Sequence, residues 1–197
     1  MLQWGHLMIE GLELTMLKLC ECNEGIYLAA LERAHCRQIF EDNEYDFQNA
    51  AEPMLFGLSH EDADHWFEEI QRLLKEQVNI RLGIFLADGT VLGDVALQGI
   101  DAQHRTASVG IGFSKLAYRG RGHGTQALRI MLGYGFDHLG LERITASTLE
   151  GNVPCQRMLQ KAGFTLEGRA RRAVYFRGKR WDELHYALLL DEWKDGK

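Results

Sequence analysis

Tyr118-Arg119-Gly120-Arg121-Gly122-His123-Gly124-Thr125-Gln126-Ala127 lies between a strand-like run, residues 107–114, and an amphipathic helical run, residues 124–139. Three glycines alternate here with arginine and histidine. Glycine lets the backbone turn tightly and come close to a ligand. A helix opening just after such a loop turns its unpaired N–H groups, and the positive end of its dipole, back onto it. Arg119 and Arg121 add full charges. The combination is a receptor for a pyrophosphate. Its spacing departs from two common alternatives. A P-loop ends in Gly-Lys-Ser/Thr, and this loop has no lysine. A dinucleotide fingerprint is G-x-G-x-x-G in a first βα unit; here G-x-G-x-G follows several strands.

The flanking sequence extends the pattern. Residues 12–19 alternate as a strand does, and residues 24–40 fit a helix with Ile26, Ala29, Ala30 and Ala34 on one face. Residues 41–58 are irregular. Ser59 and Asp62 make a capping-box start for a second helix, to about Gln77, that turns Trp66, Phe67, Ile70, Leu73 and Leu74 inward. Residues 80–87 and 91–98 flank Asp88-Gly89-Thr90 as a hairpin, and 107–114 form a further strand. After the 124–139 helix come a strand at 143–148 and a short helix at 154–162 closed by Gly163. A last hairpin, 164–176 and 181–190, turns at Arg177-Gly178-Lys179. The order predicts an α/β fold, a mixed, twisted sheet of about seven strands with helices on both faces. One domain is expected over residues 12–193, with an N-terminal extension at 1–11 and a tail at 194–197.

Composition narrows the function. A hydrophobic content of 46% with 25% charged residues reads as a globular protein. The longest apolar runs are too short to span a membrane, and the N-terminus lacks the features of a signal peptide. Cys20, Cys22, Cys36 and Cys155 show no metal-ligand spacing, so no metal is expected and reduced cytoplasmic thiols are. The net charge of −6 argues against nucleic acid and favours a cationic substrate.

The R-x-x-G-x-G of Arg119, Gly122 and Gly124 on a strand–loop–helix element resembles the coenzyme A loop of the GNAT superfamily of N-acetyltransferases. Asn152-Val153-Pro154-Cys155, followed by Lys161-Ala162-Gly163-Phe164-Thr165-Leu166-Glu167-Gly168, is similar to a signature of the RimJ/RimL-type branch, which acetylates ribosomal-protein N-termini. The resemblance implies acetyl-CoA as donor, with the backbone of Arg119, Gly120, Arg121, Gly122, His123, Gly124 and Thr125 on its pyrophosphate. It implies that Phe113 and Ser114 pair with the pantetheine arm, and that Asn152 bonds the pantetheine or the acceptor. Asn152 also reads as a plain helix cap. The implied acceptor is a small amine or a protein N-terminus, attacking directly in a ternary complex. No nucleic acid or membrane partner is implied, and a homodimer is compatible.

Three positions where relatives carry proton-handling groups hold Ser108, Leu159 and Val174 here. Cys155, at the place of a serine thought to assist the thiolate, is the catalytic candidate; its plainer reading is a small buried hydrophobe. Asp94 reads as a buried acid facing a cleft or as a strand-end surface residue. His123 reads as an exposed loop residue. The cluster Glu41-Asp42-Asn43-Glu44-Tyr45-Asp46 suits a polycation or reads as a plain solvated loop, whereas Arg177, Lys179 and Arg180 suit an acidic acceptor. The missing proton handlers leave a non-catalytic acetyl-CoA-binding module as the alternative.

Overall fold

The structure is a computed structural model that describes residues 25–44, 59–176 and 178–196. The expected strand at 12–19, Cys20, Cys22, Tyr45, Asp46, Pro53 and Arg177 lie outside the described residues.

Among the described residues, seven strands form one sheet in the order β1-β2-β3-β4-β5-β7-β6. They are β1 Ile26–Ala30, β2 Asn79–Leu86, β3 Val91–Asp101, β4 Thr106–Phe113, β5 Arg143–Leu149, β6 Thr165–Phe176 and β7 Lys179–Leu189. All neighbours are antiparallel except β4 and β5. The α-helices among the described residues are α1 Arg33–Glu41, α2 His60–Lys75, α3 His123–Gly133, α4 Val153–Lys161 and α5 Leu190–Asp195. Period-two alternation sends each strand's apolar residues to opposite faces. Ile26, Leu28, Ile84, Leu97, Val109, Ile144 and Leu188 pack with Leu128, Met131 and Leu132 of α3 and Leu159 of α4. On the other face Phe85 and Val91 pack with Cys36 and Ile39 of α1 and Ile70 of α2.

The segment expected to be helical from residue 24 instead begins as a strand. Ile26 and Leu28 point into the main core, and Ile26–Ala30 pair with β2. The alanines at 29, 30 and 34 satisfy either period, so cross-strand pairing decides. The helix starts only at Arg33, where Glu32 and His35 form a reciprocal cap. The Ser59–Asp62 capping box forms as expected. Beyond Gly133, α3 continues as a wider π-type turn, Tyr134–His138, and the left-handed Gly140 (φ 66°) ends it. The short α5 carries no strong sequence signal.

The feature that builds the site is where β4 and β5 stop pairing. Their parallel ladder covers only Thr106–Ser108 against Arg143–Thr145. β4 then runs on to Phe113 and β5 to Leu149, so a wedge opens between them.

Candidate active site

β4 offers the wedge a free backbone edge. Ser108, Gly110 and Gly112 face Gln98, Ala96 and Asp94 of β3, and the Ser114 N–H donates to Leu92 O at 2.9 Å. By antiparallel alternation, the N–H and C=O groups of Val109, Ile111 and Phe113 turn away from β3, into the wedge. The same pattern corrects the expectation for Ser114. It is 3% exposed, its N–H is bonded to Leu92, and its C=O accepts the Glu44 N–H at 2.7 Å. Phe113 remains as the residue with a free edge.

The loop after β4 turns once at Leu116–Tyr118 and then passes through left-handed Gly120 (φ 73°) and Gly122 (φ 88°). Gly122 is the N-cap of α3 and has no side chain to satisfy the first turn. The first bond into α3 is from the Gln126 N–H to Gly122 O. The N–H groups of residues 120–125 have no acceptor among the described residues. A Cβ at Gly120 or Gly122 would meet nothing within 4 Å, so the cradle is open. Arg119 and Arg121 are exposed beside it. His123 is half-buried rather than exposed, and its Nδ1 is buried with no partner among the described residues. Gly124 plays a different part: its Cβ would lie 3.1 Å from Met158 Sδ and 3.3 Å from the Phe113 ring, so it lets α3 pack closely on α4 and β4. An open run of N–H donors at a helix N-terminus, ending a strand with a free edge, fits a diphosphate carrying an amide-rich arm.

Two polar groups flank the wedge. On the helical face, Asn152 Oδ1 accepts the Cys155 N–H at 3.3 Å and caps α4. Burial pushes the Cys155 thiol above its ordinary value, and the Thr148 hydroxyl partly offsets this. A helix start therefore does not make this thiol acidic; desolvation wins. Burial, then the charge of the Cys155 thiolate form, raises Tyr186 of β7. Thr148, Cys155 and Tyr186 thus meet beside the wedge, a grouping that 38 residues of separation hides in the sequence.

On the opposite face, beyond Ser108, β4 presents Gly110 and Gly112, whose Cβ positions would lie 3.5 Å from Gln98 Oε1 and 3.7 Å from Asp94 Oδ1. Asp94 is interior, not a strand-end surface residue. Its side chain is 14% exposed and pairs closely with Arg81, whose guanidinium lies over the Trp66 ring. Across β4 lies an open cleft of about 290 Å³ lined by Ser108, Thr145, Ser147, Glu167, His185 and Tyr186 among others.

The cationic and anionic loops are largely engaged. Glu41 pairs with His60, and Asp42 with Lys115 at 3.0 Å. Glu44 accepts the Leu116 N–H. Lys179 lies over the Trp181 ring and Arg180 over Tyr175. Of the three positions lacking the usual groups, Leu159 is core, Val174 is half-buried, and the Ser108 hydroxyl donates to Gln98 O at 3.3 Å.

Residues 26–165 match the family model described as an acetyltransferase (GNAT) domain. The chain belongs to the GNAT family. It is 29% identical over 182 residues to YdaF of Bacillus subtilis, provisionally named a ribosomal N-acetyltransferase, covering 90% of this chain and 98% of that one. A crystal structure described as a probable acetyltransferase superposes with a TM-score of 0.77 at 28% identity, over 88% of this chain and 98% of that one. The spermidine N-acetyltransferase of Vibrio cholerae, solved with CoA and spermine, shares the fold with a TM-score of 0.73 at 22% identity, over 87% and 99%. This GNAT chain is an acyltransferase that uses acetyl-CoA. None of these similarities supports the non-catalytic alternative. Among the described residues, no helix is long and apolar enough to cross a membrane, and no cluster of His, Cys, Asp and Glu is arranged for a metal ion.

Proposed function

We propose that this GNAT enzyme acetylates a primary amine, either a protein N-terminus or a small polyamine-like amine, by direct attack within a ternary complex in the cytoplasm, as in the RimJ/RimL-type branch. The observation that carries the proposal is the wedge. One end meets the N–H cradle of residues 120–125, and one face opens onto a glycine-floored, acid-flanked groove. The full-length similarity to YdaF supports the N-terminal acceptor within that class.

In this reading the N–H groups of residues 120–125 bind the pyrophosphate, with Arg119 and Arg121 adding charge. Phe113 pairs its backbone with the pantetheine arm; Ser114 supports Phe113 from behind. The Asn152 side chain caps α4 through Oδ1, and its amide N–H groups are the donors for the arm. Acetyl-CoA supplies a thioester, an acyl carbon open to a neutral amine. Free β4 amides stabilise negative charge that builds on the acyl oxygen. The Cys155 thiol, kept protonated by burial, donates to the departing sulfur.

A thermal shift with acetyl-CoA, NAD and ATP, followed by thiol-release assays on an amine panel, tests the proposal. Acetyl-CoA giving the largest shift and at least one primary amine releasing thiol are the expected results. A larger shift with NAD or ATP, or no thiol release with any amine, overturns it.

A further inference from the structure

The proposed reaction needs a group to take the proton of the acceptor ammonium, and the positions of Ser108, Leu159 and Val174 provide none. The sheet face turned away from α3 and α4 does. Ser147 of β5 lies directly opposite His185 of β7, and Leu149 opposite Glu183. All three polar side chains share the face turned away from α3 and α4, because Ala146, Thr148, Leu184 and Tyr186 occupy the other. The Ser147 hydroxyl donates to Glu183 Oε1 at 3.0 Å, and His185 Nε2 lies 3.6 Å from Glu183 Oε2. Ser147 is two residues beyond Thr145, the last β5 residue that pairs with β4. The cluster therefore stands at the mouth of the wedge, on the side an amine can reach. His185 and Ser147 line the open cleft there, with Ser108 from β4, Thr145 and the Arg143–Glu167 ion pair.

We propose that His185 is the general base of the acetyl transfer and that Glu183, held by Ser147, is its positioning residue; this rests on the function proposed above. The imidazole takes one proton from the ammonium and later releases it to solvent. The freed nitrogen lone pair forms the C–N bond to the acyl carbon, and the C–S bond breaks with its electron pair going to sulfur. The Cys155 thiol gives its proton to that sulfur and regains the second nitrogen proton, giving the amide, CoA thiol and one proton in solution. Imidazole is the side chain that exchanges protons most readily near neutral pH. Glu183, anchored by the Ser147 hydroxyl, faces His185 Nε2 and sets the orientation of the ring. Asp94 is the rival acid on this face, but its close pairing with Arg81 engages its carboxylate.

The test compares wild type, His185→Gln, Glu183→Gln and Asp94→Asn with two acceptors. One is a strongly basic amine, the other a hydrazide that is already neutral at the assay pH. His185→Gln should lower kcat for the basic amine by about a hundredfold or more, the scale of general-base catalysis. The hydrazide should lose little, and the acetyl-CoA melting shift should stay. Glu183→Gln should do the same more weakly. A second readout does not use turnover: NMR signals of the His185 ring should move when spermine is added to the CoA complex. Equal losses for both acceptors, an unmoved His185 signal, or a basic-amine loss confined to Asp94→Asn overturns the assignment. A wild type that neither binds acetyl-CoA nor acetylates any amine marks the failure of the proposed function itself and removes this base with it.

Discussion

The Glu44 carboxylate accepts the Leu116 N–H at 2.8 Å, joining residues 72 apart in the chain. The Glu44 N–H donates to Ser114 O at 2.7 Å, and Asp42 pairs with Lys115, which also lies over the Tyr118 ring. The end of α1 is thus fastened to the segment between β4 and the N–H cradle. Two described members of the acidic cluster, Asp42 and Glu44, thus clamp the segment that leads into the N–H cradle.

Glu44→Ala should therefore weaken acetyl-CoA binding and leave the acceptor KM unchanged. One charge-assisted bond at an exposed site contributes about 1 kcal/mol, or roughly fivefold in affinity. Calorimetric titration with CoA and steady-state kinetics on one amine measure both. A raised acceptor KM with unchanged CoA affinity restores the cation-trap reading.

Gly122 and Gly124 should separate cleanly. Gly122→Ala adds a Cβ to open space in a left-handed residue, costing about 1–2 kcal/mol of strain, and intrudes on the ligand's place. The acetyl-CoA melting shift should vanish while the unliganded protein still folds. Gly124→Val crowds Met158 and Phe113 instead, and such overpacking costs about 1–3 kcal/mol, lowering the unliganded Tm by several degrees. Equal effects of both substitutions on the ligand-induced shift count against this division.

The contrast shows what was legible in the sequence. The loop at residues 118–127 could be read because glycine and arginine have strong local meanings. The hairpin at Asp88-Gly89-Thr90 and the Ser59–Asp62 cap were local as well, and both formed. Ile26–Ala30 could not be read, since its alanines fit both periods and only pairing with β2 makes it a strand. The Ser147–Glu183–His185 cluster depends on β5 and β7 being neighbours in register, with 36 residues between Ser147 and Glu183. The Asp94–Arg81 pair was nearer to reach, because the hairpin turn sets which residues of β2 and β3 lie close.

Cys155 should behave as a protonated donor and not as a nucleophile. Because burial raises its thiol, alkylation by iodoacetamide should be slower than that of a free cysteine and should rise only at more alkaline pH. Acetyl-CoA should slow it further. Cys155→Ser should retain most turnover, and Cys155→Ala should lose about fivefold to tenfold, the scale of one hydrogen bond. Tyr186→Phe serves as the comparison, since that phenol neighbours the thiol. A larger loss in Tyr186→Phe than in Cys155→Ala transfers the donor role to Tyr186. An acetyl-cysteine adduct that passes its acetyl group to an amine excludes direct attack.

Cys36 gives a pH dependence with a definite sign. It is fully buried between α1 and the sheet, and burial first, then the Asp94 charge, pushes its thiol from 9.0 up to about 12. In the unfolded chain the thiol ionises near 9.0; in the folded protein it keeps its proton. Between these values the unfolded state binds fewer protons, so stability falls as pH rises, by up to about 1.4 kcal/mol per unit for one group. The stabilising contribution is complete below pH 9.0 and disappears as pH approaches about 12. Cys36→Ala removes this titration at the cost of a small cavity. Urea melts of both proteins from pH 7 to 10.5 should show the wild-type advantage shrinking above pH 9.0. A difference that stays constant over that range means the thiol is not held protonated by the fold.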